Sequence, residues 1–204
     1  MSQSTLTLIL VRHGLTDWNQ QGRLLGRTHI ALNALGRAQA AAVADALRND
    51  AVDAVLASPL RRAQETAEPI AKQLGATVTT EPDLDEVCLN RWIGQTWQDL
   101  RDDPDIKQFA ADPLYVCDAF EAATAVRDRV VRLAERLRDR HAGKAVVLVS
   151  HGDPLRVLVS HCIAMPLGKY RSLTISNGSI TRLRLADGGA QLQLLNWQPP
   201  RGEV

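Results

Sequence analysis

The sequence predicts an α/β fold: a three-layer sandwich with a mainly parallel central sheet flanked by helices on both faces. Two observations carry that prediction. Apolar runs of strand length at 6–11, 52–57 and 145–149 alternate with longer segments of helical pattern. These runs are near-continuously apolar, broken only by Thr7 and Asp53, as expected of parallel strands covered on both faces, whereas a half-exposed sheet would alternate apolar with polar residues. A chain of 204 residues suits one such domain with a sizeable core, and no repeat, linker or low-complexity tract divides it. The expectation is a single domain over 1–204 with a cap-like excursion at about 84–120.

In chain order, residues 6–11 form the first strand, stopped by Arg12, His13 and Gly14. After a glycine-containing loop, the alanine-rich stretch 35–49 is helical in pattern, with Asn33 as its cap. Residues 52–57 form a second strand. Ser58 and Pro59 then supply an N-cap and an N1 proline for a helix reaching about Leu74. Residues 77–80 read as a short strand. The stretch 84–120 is irregular and holds Trp92, Trp97, Pro104, Pro113 and Tyr115. A charge-rich helix follows over 121–141, with Val126, Val130, Leu133 and Leu137 at apolar positions. Residues 145–149 are the most strand-like run of all, ending at Ser150, His151 and Gly152 before Asp153 and Pro154 open another helix. Finally, 173–175, 180–185 and 192–197 alternate like strands joined by Asn-Gly and Gly-Gly turns.

Composition removes several function classes. Twenty-four basic and 23 acidic side chains give a net charge of +1, so nothing global points to nucleic acid or a membrane surface. The apolar run before Arg12 is too short for a signal-peptide core and lacks a basic segment ahead of it, and no run reaches membrane-spanning length. Cys88, Cys117 and Cys162 are odd in number, far apart and without paired metal-ligand spacing, which fits a reducing, cytoplasmic setting.

In doubly covered parallel sheets, ligands bind at the carboxyl ends of the strands. Three strand ends here carry reactive or basic residues: Arg12 with His13, Ser58 leading to Arg61 and Arg62, and His151. If those strands are neighbours, two histidines and at least two arginines share one crevice. Arginine forks match phosphate oxygens and keep their charge. A histidine can attack phosphorus directly, splitting hydrolysis into two displacements. His13 must be neutral to do so, and Arg12 and Arg62 nearby should disfavour its protonation. Metal chemistry fits less well. A catalytic zinc usually needs three protein ligands, no HxH or HExxH spacing is present, and arginines beside both histidines would repel a cation. Neither metal nor cofactor is expected.

At these residues the chain resembles the histidine phosphatase superfamily, in its phosphoglycerate mutase-like branch. LVRHGLTDWN over 10–19 is similar to that family's opening motif, and GRLLG over 22–26 to the loop after it. SPLRRAQETA over 58–67 is similar to its second motif, LDE over 84–86 to its acidic motif, VSHG over 149–152 to its last, and NGSI over 177–180 to a late strand entry. The resemblance spans nearly the whole chain in the right order. It implies His13 as nucleophile, with Arg12, Arg62 and His151 holding the transferring phosphoryl group. Glu86 would protonate the leaving oxygen and then serve as base for water. The Thr16 hydroxyl, the Asn19 amide and the Gly152 N–H are further candidate donors, and Arg23 would lie at the rim.

Adjacent helix positions diverge by about 100°, so one of Arg61 and Arg62 faces the pocket, and the resemblance favours Arg62. Asp153 is an alternative proton donor, although a helix N-cap before Pro154 explains it more simply. His29, His141 and His161 read as structural or surface residues, and Ser58 as a cap. The chain departs from the family pattern at Leu25, His29 and Ala31, and over 90–94, all outside the core motifs.

The expected activity is hydrolysis of a small phosphorylated metabolite. The alternatives are a cofactor-dependent phosphoglycerate mutase-type transfer and a non-catalytic phospho-ligand binding module. The family's mutases usually carry a longer insertion between acid and second histidine, which favours a phosphatase. The intact set of nucleophile and acid disfavours the binding module. Oligomeric state is open, with the late strands offering an edge for a homodimer.

Overall fold

The computed structural model describes residues 5–200, which form six strands: β1 (Leu6–Arg12), β2 (Ala54–Ala57), β3 (Val78–Thr80), β4 (Ala145–Ser150), β5 (Ile180–Ala186) and β6 (Gly189–Trp197). The helices are α1 (Asp17–Gln20), α2 (Ala34–Ala46), α3 (Arg61–Gln73), α4 (Pro104–Ala111), α5 (Ala123–Arg140) and α6 (Gly152–Cys162). The strands pair in one sheet of order β3-β2-β4-β1-β5-β6. Strands β3, β2, β4 and β1 run parallel, and the β5–β6 hairpin extends the sheet antiparallel beyond β1.

Alternation along β1 shows why the fold has three layers. Leu6, Leu8 and Leu10 share a core with Val126, Val130 and Leu133 of α5 and Leu155 and Leu158 of α6. Ile9 and Val11 face the other way, onto Val43 of α2 and Ala67 and Ile70 of α3. A period of two thus commits one strand to both helical layers.

Three expected element boundaries move. First, α3 begins at Arg61 with Leu60 in the cap position and no side-chain cap, so Ser58 and Pro59 do not open the helix. Second, α6 begins at Gly152 with His151 in the cap position, ahead of Asp153 and Pro154. Third, 173–175 is not a strand. It is an extended link after a 3-10 turn at Leu167–Ser172, and two of its carbonyls serve arginines instead of a ladder. Arg156 Nε donates to Leu173 O at 2.9 Å and Arg12 Nη1 to Ile175 O at 2.7 Å. Asn177 and Gly178 accordingly form a turn that leads into β5, while Asp187 and Gly188 turn the β5–β6 hairpin.

The excursion packs as part of the α5–α6 core layer. Trp92 is fully buried, stacks on Phe120 at 5.4 Å between ring centres, and donates from Nε1 to Asp103 at 3.1 Å. Backbone bonds from Leu24 N to Gln95 O (2.9 Å) and Gly94 N to Leu24 O (2.8 Å) tie the excursion to the loop after α1. No helix among the described residues is long and apolar enough to cross a membrane.

Candidate active site

Strands β2, β4 and β1 are adjacent, so their carboxyl ends bring Ser58, His151 and His13 together. A cavity of about 310 Å³ opens there, with Arg12, His13, Arg62, Glu86 and Gly152 among its lining residues. The loop after β1 reaches this position through a glycine contact. A side chain on Gly14 would meet the Gly36 carbonyl oxygen at 2.4 Å, and one on Gly36 would meet the Leu15 carbonyl oxygen at 2.0 Å. Only two glycines let the start of α2 press against the loop this closely.

His13 is 2% exposed, and its Nδ1 lies 2.7 Å from Gly14 O. A carbonyl can only accept, so Nδ1 carries the proton and Nε2 the lone pair. Arg62 Nε lies 3.2 Å from His13 Nε2 and 3.2 Å from His151 Nδ1, and the two rings are 5.0 Å apart. Its terminal nitrogens donate to Thr28 O (2.7 Å) and Gly26 O (2.8 Å), which fixes the fork. Burial first, then Arg62, pushes both histidines well below the ordinary value of 6.5. Burial also lowers Arg62 to about 10, which leaves it charged at neutral pH. Arg61 points away and pairs with Glu65 at 2.7 Å, so the geometry selects Arg62.

Arg12 Nε is buried without a hydrogen-bond partner, an N–H that a bound anion would satisfy. Gly152 lies at the start of the 11-residue α6, where backbone N–H groups and the helix dipole favour anions. A side chain there would come within 3.5 Å of the Arg12 guanidinium carbon. Glu86 is half-buried at the cavity, with Oε1 accepting from Val87 N at 2.9 Å. Burial and then Asp153 raise its carboxyl above the ordinary 4.5, against the pull of Arg62 and Arg12. Asp153 itself is paired with Arg156 at 2.8 Å.

Thr16 and Asn19 form a capping box at α1, in which both the Thr16 backbone N–H and its hydroxyl donate to Asn19 Oδ1. Thr16 is fully buried and is not among the cavity-lining residues, so the structure does not bring its hydroxyl to the expected position. It holds Asn19, which does line the cavity and has its amide N–H group to offer. Arg23 lies on the lining too, held by Gln21 Oε1 and Gly94 O.

Sequence reasoning missed Ser58 and Asp85. The Ser58 hydroxyl sits 2.8 Å from His151 Nε2 and donates to Asp85 Oδ1 at 2.8 Å. With Nδ1 accepting from Arg62, Nε2–H donates to Ser58, and the chain His151–Ser58–Asp85 sets the tautomer. The signal was present, since Ser58 follows β2 as His13 follows β1, but a helix-cap reading absorbed it. Ser58→Ala should leave a buried N–H unpaired and lower kcat/KM by about tenfold, while also changing the slow-exchanging imidazole N–H signal of His151 in NMR. An unchanged imidazole signal would show that Ser58 does not orient the ring.

Ligating atoms of Asp105, Cys117 and Asp118 lie within 4.8 Å of one another on the excursion, but Arg91 forms ion pairs with both carboxylates there.

Comparison with known proteins places this geometry. A family model described as histidine phosphatase superfamily (branch 1) matches residues 8–198. The chain belongs to that superfamily. Phosphoserine phosphatase 1 of Hydrogenobacter thermophilus is 30% identical over 183 residues, covering 88% of this chain and 87% of that relative. Phosphoglycerate mutase-like protein 4 of Arabidopsis thaliana is 33% identical over 188 residues, covering 89% and 80%. Among solved structures, a mycobacterial glucosyl-3-phosphoglycerate phosphatase superposes with a TM-score of 0.86 at 28% identity, covering 94% of this chain and 99% of that one. A phosphoserine phosphatase of Entamoeba histolytica, solved with phosphoserine, gives a TM-score of 0.86 at 28% identity, covering 95% and 98%. With named phosphatases among both kinds of relative, this histidine phosphatase superfamily member is an enzyme of the hydrolase type.

Proposed function

We propose that the chain hydrolyses a small phosphate monoester through a phosphohistidine on His13. The observation that carries this reading is the fixed tautomer of His13, which leaves a neutral Nε2 lone pair in an arginine-lined cavity that also holds Glu86. Nε2 attacks phosphorus as the P–O bond to the leaving group breaks, and the Glu86 carboxyl gives its proton to the departing oxygen. The Glu86 carboxylate then takes a proton from water as the water oxygen attacks phosphorus. The N–P bond breaks, and orthophosphate leaves with His13 neutral again. Arg12, Arg62 and the Gly152 N–H stabilise the charge that builds on the phosphoryl oxygens, and His151, whose Nε2–H is held by Ser58, orients Arg62 through its Nδ1. Arginines occupy the positions around both imidazoles where a cation would otherwise sit, so the reaction proceeds without metal.

The relatives named for phosphoserine and glucosyl-3-phosphoglycerate support a small phosphorylated metabolite as substrate. The spacing of about 65 residues between Glu86 and His151 leaves the phosphatase ahead of the mutase reading. Three free cysteines fit a cytoplasmic setting. Turnover of p-nitrophenyl phosphate in EDTA, with inorganic phosphate as product, is the expected result. A folded protein with no turnover is instead a binding module, and phosphoryl transfer between phosphoglycerates that outpaces release of phosphate identifies a mutase.

A further inference from the structure

The cavity has a second half that the phosphoryl chemistry does not use. Besides the arginines, its lining holds Leu24, Val87, Leu89, Phe109 and Trp97. Trp97 is 53% exposed, a large apolar ring presented at the lining without an aromatic partner among the described residues. Most other wall residues are buried or half-buried side chains with no polar group to offer.

The charges around this half do not favour an anionic leaving group. Arg156 directs Nη1 to Asp153 at 2.8 Å and Nε to Leu173 O at 2.9 Å, so its charge is largely answered within the protein. Asp153 adds a negative charge to the same lining. Arg23 is the remaining cation on the lining, exposed and already donating to Gln21 and Gly94 O, while Arg171 stacks on Phe109 with its Nη1 donating to the Phe109 carbonyl. A leaving group carrying a carboxylate would meet one exposed arginine, the Asp153–Arg156 pair and otherwise mostly hydrocarbon. A small polyol would find few partners for its hydroxyls and lose hydration in exchange. A flat apolar group would cover the wall and the exposed face of Trp97 together.

We infer that the preferred substrate is a phosphate monoester whose alcohol carries an aromatic or similarly flat apolar group, and that Trp97 is the residue that selects it. This rests on the phosphatase reading above and specifies the substrate class of that same cavity. It also separates this chain from relatives named for phosphoserine.

The test compares esters whose alcohols ionise alike, so that leaving-group chemistry does not enter: 2-phenylethyl phosphate against ethyl phosphate, with O-phosphoserine and 3-phosphoglycerate alongside. The phenylethyl ester is expected to exceed each of the other three in kcat/KM by about tenfold or more. Trp97→Ala should lower the phenylethyl-to-ethyl ratio by about tenfold, and Trp97→Phe should restore most of it. Its exposure lets the alanine variant fold, which a thermal melt checks. A wild-type preference for phosphoserine or 3-phosphoglycerate, or an unchanged ratio in Trp97→Ala, overturns the inference while leaving the phosphatase reading intact. Failure to hydrolyse any of the four esters or p-nitrophenyl phosphate overturns the phosphatase reading and the inference with it.

Discussion

His13→Ala is expected to lower kcat/KM by more than about a hundredfold and to abolish the phosphoenzyme. The loss has a local cause. Nε2 is the lone pair that meets phosphorus, and alanine leaves Arg62 and His151 around a position that no base occupies. The fold should survive, because His13 lies beyond the last residue of β1, and the apolar side chains that join the two helical layers belong to that strand. Rapid alkaline quench of wild type with a ³²P-labelled ester should trap label on protein as an acid-labile, base-stable bond. The alanine variant should trap none. Activity within tenfold of wild type, with the melt unchanged, rules out a covalent step on this residue.

Glu86→Gln should lower kcat/KM for an alkyl phosphate by about 10²- to 10⁴-fold, and by much less for p-nitrophenyl phosphate, whose leaving group departs without a proton. Glutamine keeps the size of the side chain and an acceptor for Val87 N–H, so the change removes the proton and little else. The pH profile gives a second readout. Burial and Asp153 raise the Glu86 carboxyl above 4.5, so the acid form persists to higher pH and is lost as pH rises through the raised value. Burial and Arg62 depress His13 well below 6.5, so the neutral nucleophile persists to lower pH and is lost only as pH falls through the depressed value. Wild-type kcat/KM is therefore expected to be bell-shaped, with His13 on the acid limb and Glu86 on the alkaline limb. The glutamine variant should lack the alkaline limb. A variant that keeps it identifies another acid, for which Asp153, also on the lining, is the candidate.

What the sequence disclosed followed the range of its signals. Runs such as 145–149 are local, and both the strand and the reactive residues at its end could be read without knowing its neighbours. Helix periodicity, together with family resemblance, was enough to put Arg62 inward and Arg61 outward. The adjacency of β2, β4 and β1 is a property of the whole sheet, and the sequence offered it only as a condition, because β4 inserts between the consecutive strands β1 and β2. Contacts that depend on which loops meet were not legible. Ser58 looked like a cap because its sequence neighbours suit one, but its hydroxyl is directed by His151 and Asp85, which are 93 and 27 residues away. Residues 173–175 alternate like a strand, and their backbone acceptors instead serve Arg156 and Arg12. Thr16 carried a plausible phosphate contact on sequence grounds and is occupied by its own helix cap.

The placement of Arg62 between two imidazoles has a consequence for the folded state as a whole. Both histidines are held neutral in the native protein, whereas each would titrate near 6.5 in an unfolded chain. A depressed histidine contributes its full stability above the unfolded value and loses it as pH falls below, because the unfolded chain then takes up protons that the native site refuses. The melting temperature should therefore fall as pH drops below about 6.5, and orthophosphate, whose negative charge offsets Arg62, should soften that fall. A melting temperature flat across that interval would mean that the folded protein takes up protons there as readily as the unfolded chain, against the depression of the two imidazoles. The guanidinium that keeps the nucleophile ready thus also couples the integrity of this domain to acidity.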